Sequence, residues 1–142
     1  MRTAYSKILT ACGLLLLVIS LILPWTDGMH ARGIPLQRLW SAGTVAPVTE
    51  VAQSAAIIVA MAAFLCGLSL LVSRVWLQRL LLGLGMALGF ATVVLWGTME
   101  AIYKAPGNFT VVNIQIGAWA ACLGVLLVII GFVWTFRRLS QK

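Results

Sequence analysis

Negative charge is what this sequence nearly lacks: Asp and Glu together number three in 142 residues, and charged residues of both signs make up only 9%. A soluble domain carries about 25% charged residues, so the soluble classes are excluded first. Histidine occurs once and cysteine three times. That odd number, widely spaced at Cys12, Cys66 and Cys122, excludes a disulfide framework and the usual zinc spacings. The ten Lys and Arg leave a formal charge of +7, yet they stand at the edges of apolar runs and form no basic face. Nucleic acid is therefore not the expected partner.

What is present is apolar length. Ile8 to Trp25, Val51 to Val72, Trp76 to Met99 and Ile116 to Phe136 are runs of 18, 22, 24 and 21 residues, and about 18 suffice to mark a spanning segment. With no water in the hydrocarbon layer to pair exposed amides, each crossing must be a helix. The expectation is an all-α membrane protein, residues 1–142 forming one four-helix transmembrane domain with an outer loop or cap over 26–50. Four crossings put both termini on one side. Arg2, Lys7, Arg74, Arg79, Arg137, Arg138 and Lys142 would share it, against Arg32, Arg38 and Lys104 opposite. Positive charge is retained on the cytoplasmic side, so both termini read as cytoplasmic and Asp27, Glu50 and Glu100 as outer. The basic side would also meet anionic lipid headgroups, at about 1 kcal/mol per near-surface residue.

The first run reads as an uncleaved anchor, because no small residues of the Ala-x-Ala kind stand before Thr26. Leu9-Thr10-Ala11-Cys12 has lipobox letters, but its apolar core follows the cysteine instead of preceding it. Several four-helix membrane families are excluded by what they require. Disulfide-generating quinone reductases need a CxxC pair, tetraspanins and claudins need outer-loop cysteines, and small multidrug transporters need an acid in the first helix. None of these is present.

Lipid tails give helices no hydrophobic reason to associate, so close approach over small residues must supply it. In the fourth run Gly117, Ala121, Gly124, Val128, Gly131 and Thr135 keep a 3.5-residue period. The first offers Thr10, Gly13, Leu17 and Ser20; the second Ala56, Ala60, Ala63 and Gly67, with a further stripe at Ala55, Ala62, Cys66 and Ser69; the third Gly85, Gly89 and Thr92. This period implies left-handed packing in an up-down-up-down bundle. Gly85 and Gly89 form a GxxxG motif, read as internal packing in preference to pairing with another copy.

Trp25, Trp96 and Trp119 toward one end, and Trp76 and Trp134 toward the other, suit an aromatic belt. Trp40 lies in the long connection, where Ile34, Leu36, Leu39 and Trp40 could form an apolar face of a short helix or folded cap with Arg38 directed to water and Pro35 at its start. No ionisable residue falls near the centre of a crossing, which counts against an ion pathway. Asp27, Glu50 and Glu100 are expected to pair with Arg32, Arg38 and Lys104 at the outer rim, holding the cap. His30 has no ligand spacing, and Asn108-Phe109-Thr110 is a short sequon of low specificity.

Leu23-Pro24-Trp25 closing the first crossing, the polar outer loop, the short basic turn between crossings two and three, and Ile116-Gly117-Ala118-Trp119 opening the fourth together resemble, in layout, a broad set of small bacterial four-helix membrane proteins. The resemblance implies a bacterial inner membrane and carries no catalytic residues across. No nucleophile and base pair, metal set or phosphate loop is recognisable. No catalytic, cofactor or metal site is expected; bound lipid or pigment is left open, while haem ligation by an intramembrane histidine is excluded. Two functions are carried forward. The first is a non-catalytic accessory or assembly subunit packed against a larger membrane complex, such as a respiratory or photosynthetic one. The second is a small homo-oligomeric channel or transporter.

Overall fold

The structure, a computed structural model, describes residues 2–26, 28–41, 48–103 and 114–136. Among the described residues, its regular structure is helical apart from one small hairpin. Helix α1 is Arg2–Ile22, α2 is Ala56–Leu71, α3 is Val75–Tyr103 and α4 is Ile116–Phe136. Three of them, α1, α3 and α4, are long and apolar enough to cross a membrane.

Proline sets the end of α1. Pro24 lacks an N–H and disfavours helical backbone at Leu23, so the last helical bond is Leu23 N–H to the Ile19 carbonyl at 3.2 Å. The chain then extends as β1 (Pro24–Thr26) and returns antiparallel as β2 (Met29–His30). Gly28 turns the corner at φ 78, a left-handed conformation that glycine adopts without steric cost. The run expected to reach Trp25 as helix therefore stops at Ile22, while at its other end it begins at Arg2 instead of Ile8.

The expected second crossing is shorter than its apolar run. Val51–Gln53 is a 3₁₀ turn, and α2 proper holds 16 residues, about 24 Å at 1.5 Å per residue. The residues before it are claimed by the connection. Ala55 N–H donates to the Ile34 carbonyl at 2.8 Å, and Pro35 and Ser54 form an antiparallel bridge. By contrast α3 runs 29 residues, about 43 Å, and overshoots a hydrocarbon layer of roughly 30 Å, carrying Glu100 to the cap.

Helix α1 packs chiefly on α4, and α2 chiefly on α3. The α1–α4 seam is lined by Thr10, Gly13, Leu17 and Ser20 on one side and Gly117, Ala121, Gly124, Val128 and Gly131 on the other, all buried. A Cβ on Gly131 would stand 2.7 Å from the Thr10 hydroxyl, and one on Gly117 would stand 2.6 Å from the Leu23 carbonyl oxygen. On α3 a Cβ on Gly85 would stand 2.7 Å from Cys66 Sγ, and one on Gly89 3.0 Å from Val125. Gly85 and Gly89 thus face α2 and α4 of the same chain. On α2 and its N-cap residue Ala55 the deepest side chains are those of Ala55, Val59, Ala62, Cys66 and Ser69, each at most 1% exposed, with Ala56 and Ala63 buried beside them. Ala60 and Gly67 are only half-buried, so the stripe expected to lead on this helix is the shallower one.

Large apolar side chains cover the exterior, among them Leu15, Phe64, Leu84, Phe90, Leu123 and Leu126. Exposed apolar surface on this scale is what a lipid-facing bundle presents.

Candidate functional site beneath the cap

The connection after α1 folds as a cap over one end of the bundle. It comprises the hairpin and two 3₁₀ turns, Ala31–Gly33 and Leu36–Leu39. Ala31, Ile34 and Leu39 are buried in the main apolar cluster, with Leu36 packed against it. Trp40 is not on that face: it is 63% exposed. A 3₁₀ turn repeats every three residues, so Leu36 and Leu39 share a side that Trp40 leaves. Pro35 precedes the second turn as its extended N-cap residue.

Arg38 also departs from its expected place on the water side of the cap helix. Instead of pointing to water it turns inward, and its Nη2 donates to Glu100 Oε2 at 3.4 Å. The two side chains are 12% and 4% exposed. Thr26 Oγ1 donates to the other carboxylate oxygen, Oε1, at 3.1 Å. Glu100 thus joins α3, the end of β1 and the second 3₁₀ turn. Both charges must be desolvated for this pair to form, a penalty that only mutual attraction and further hydrogen bonds offset. The Thr26 hydroxyl supplies one such bond.

Ile114 and Gln115, just before α4, close the same region. Thr26 bridges to Ile114, Gln115 N–H donates to the Trp25 carbonyl at 3.0 Å, and Gln115 Oε1 accepts from Gly28 N–H at 3.0 Å. The start of α4 is thereby tied to the hairpin.

One turn deeper lie the two tryptophans that do not belong to an aromatic belt. Trp25 is fully buried and Trp96 is 3% exposed. Their rings meet edge to face, with centroids 5.3 Å apart and planes at 78°, a geometry that sets the positive ring edge against the negative face. Trp25 Nε1 donates to the Ser20 carbonyl at 2.8 Å. Trp96 Nε1 is buried with no hydrogen-bond partner among the described residues. Trp76, Trp119 and Trp134 are exposed, as belt residues are.

Thr92, Trp96 and Glu100 follow at four-residue intervals on α3, and all are at most 3% exposed. Residues four apart share a helix face, so a polar stripe descends from the cap toward the middle of the bundle. Thr92 Oγ1 satisfies itself on the Leu88 carbonyl at 2.8 Å.

Among the described rim residues, Glu50 and Arg32 are not drawn into this cluster. Glu50 is exposed and its Oε2 accepts from Gln53 Nε2 at 3.1 Å. Arg32 is exposed and, with Met29, His30, Gly33, Val48 and Thr49, lines an open depression of about 440 Å³. Asp27 and Lys104 lie outside the described residues, as does the sequon at 108–110. Among the described residues, no three His, Cys, Asp or Glu side chains are grouped so that they could hold a metal ion.

Sequence reasoning selected Glu100 and Arg38 but missed Thr26, Gln115 and the Trp25–Trp96 contact. The four-residue spacing of Thr92, Trp96 and Glu100 was available as a signal; a partner on an extended strand after Pro24 was not. Chemically, the arrangement is a clasp: a carboxylate gripped on both oxygens from two segments of the cap. Compared with protein-family models, curated proteins and solved structures, the chain matches none of them.

Proposed function

We infer that the chain is a non-catalytic accessory or assembly subunit of a larger membrane complex, a four-pass protein of a bacterial inner membrane with both termini cytoplasmic and its helices in an up-down-up-down, left-handed bundle. The observation that carries this reading is the Glu100 clasp. Glu100 is the acid placed on a long apolar helix, and both of its oxygens are engaged by Arg38 and Thr26 in holding the cap. Its chemistry is spent on structure at a bundle end, where an ion or proton pathway would place an acid facing a water-filled cavity. The small-residue seams close against one another within the chain, while the exterior of α1, α3 and α4 stays broadly apolar, the kind of surface that another membrane subunit or lipid covers. The cap, with Trp40 exposed on it, supplies a shaped end for docking.

Native mass spectrometry of the protein extracted from its own membrane tests the function. Copurification with different chains at fixed stoichiometry is the expected result. A homo-oligomer that retains and moves a solute would replace it with the channel or transporter reading. Cysteines introduced at Val45 and Lys142 test the topology: labelling of both from the same side would overturn it.

A further inference from the structure

The bundle end away from the cap gathers residues from three helices. Ser6 Oγ donates to the Gly131 carbonyl at 2.9 Å, so the start of α1 lies against the end of α4. A Cβ on Gly83 would stand 3.7 Å from the Phe132 ring, which brings the first part of α3 to the same place. Arg74 lies in the short connection between α2 and α3, and its carbonyl accepts from Gln78 N–H at 2.9 Å. Lys7 and Arg74 are exposed and Arg79 is half-buried. Trp76, Arg79 and Gly83 stand seven, four and zero residues from the Phe132 contact, one stripe of α3 by helical spacing. Beside these cations Tyr5 is 56% exposed, Trp76 62% and Trp134 47%. Arg137 and Arg138 follow α4 directly in the sequence. Glu50 and Glu100 are both at the capped end, and no acid accompanies the cations at this one among the described residues.

We propose that this end is a binding surface selective for anionic phospholipid headgroups, with Lys7 and Arg74 meeting the phosphates and Trp76 and Trp134 seated at the boundary between headgroup and acyl chain. Two independent features point to the same occupant. The exposed positive charge of Lys7 and Arg74 attracts an anionic leaflet, and exposed tryptophans mark the depth at which headgroups lie. A soluble acidic partner would satisfy the charge but would leave the tryptophans without an apolar boundary. The surface does not depend on the accessory-subunit reading; it requires only that the helices cross a bilayer.

The test uses the full chain with Trp40→Phe and Trp119→Phe, reconstituted in phosphatidylcholine vesicles that carry brominated phosphatidylglycerol or brominated phosphatidylcholine at equal mole fraction. Bromine quenches tryptophan on contact, so it reports which lipid sits beside Trp76 and Trp134. The expected relative binding constant favours the anionic lipid about fivefold and shrinks in high salt. Lys7→Gln with Arg74→Gln, both exposed positions, is expected to remove most of the preference. The converse protein, Trp76→Phe with Trp134→Phe, reports from the capped end and is expected to show no preference. Equal quenching by the two lipids, an unchanged preference after the double substitution, or the same preference at both ends would overturn the proposal.

Discussion

Gly13 and Gly124 exclude side chains from each other. A Cβ on Gly13 would lie 2.6 Å from the Gly124 carbonyl oxygen, and one on Gly124 would lie 2.9 Å from the Gly13 carbonyl oxygen. Both obstacles are backbone atoms, so no rotamer change relieves them. The α1–α4 contact is consequently set by main chain against main chain, as membrane helices permit where residues are small.

Gly13→Ala and Gly124→Leu are each expected to destabilise the bundle by about 1–3 kcal/mol through overpacking. A thermal melt in detergent reads this directly. Gly97→Ala is the matched control, because a Cβ there meets nothing within 4 Å. It should leave the midpoint unchanged or raise it, since alanine favours helix over glycine. A Gly124→Leu protein as stable as the original would remove the seam from the account.

The cap should loosen when its clasp is cut. Glu100→Gln leaves the Arg38 guanidinium, on a side chain only 12% exposed, without its counter-charge; a cost of about 1–3 kcal/mol is expected. Arg38→Gln strands the carboxylate to a similar degree. The double variant should lose less than the sum of the two, with a coupling of about 0.5–3 kcal/mol. Strict additivity would mean the two groups do not interact.

Tryptophan emission distinguishes the buried pair from the cap. Trp40 is 63% exposed while Trp25 is fully buried. Iodide quenching should therefore fall markedly in Trp40→Phe and stay unchanged in Trp25→Phe. The latter also leaves the Ser20 carbonyl without the donor that reaches it at 2.8 Å, so its melt should drop by about 1–3 kcal/mol. A quenched Trp25 would contradict the packing at the capped end.

Thiol labelling separates the three cysteines by position. Cys12 is exposed on α1, Cys122 is intermediate and Cys66 is buried. A membrane-permeant apolar maleimide should modify Cys12 first and leave Cys66 unmodified until the protein is denatured, as counted by intact mass. Early modification of Cys66 would place the α2–α3 contact in doubt, because a Cβ on Gly85 would stand 2.7 Å from that sulfur.

The long helices were legible because apolar length is a local property. Runs such as Ile116 to Phe136 state their conformation without reference to any other segment, since an apolar backbone in lipid has few alternatives. The α4 seam was legible for the same reason, its period being written in Gly117, Ala121, Gly124, Val128 and Gly131. Periodicity did not say which of two small stripes on α2 lies deeper. That depends on where Cys66 meets the Gly85 backbone on α3.

The capped end is where reading along the chain went astray. Hydropathy assigned Trp25 and Trp96 to the lipid boundary and Arg38 to water, and each choice is reasonable for an isolated segment. Pro24 instead ends α1 and turns Trp25 inward against Trp96, and the second 3₁₀ turn delivers Arg38 to Glu100 across 62 residues of sequence. Apolar content and small-residue spacing therefore decided that this chain forms long helices with narrow sides, because both act over one or two turns. Only the folded arrangement decided which polar groups are buried. A buried charge is tolerated where its partner arrives from a distant segment, and that arrival belongs to the packing of the whole chain.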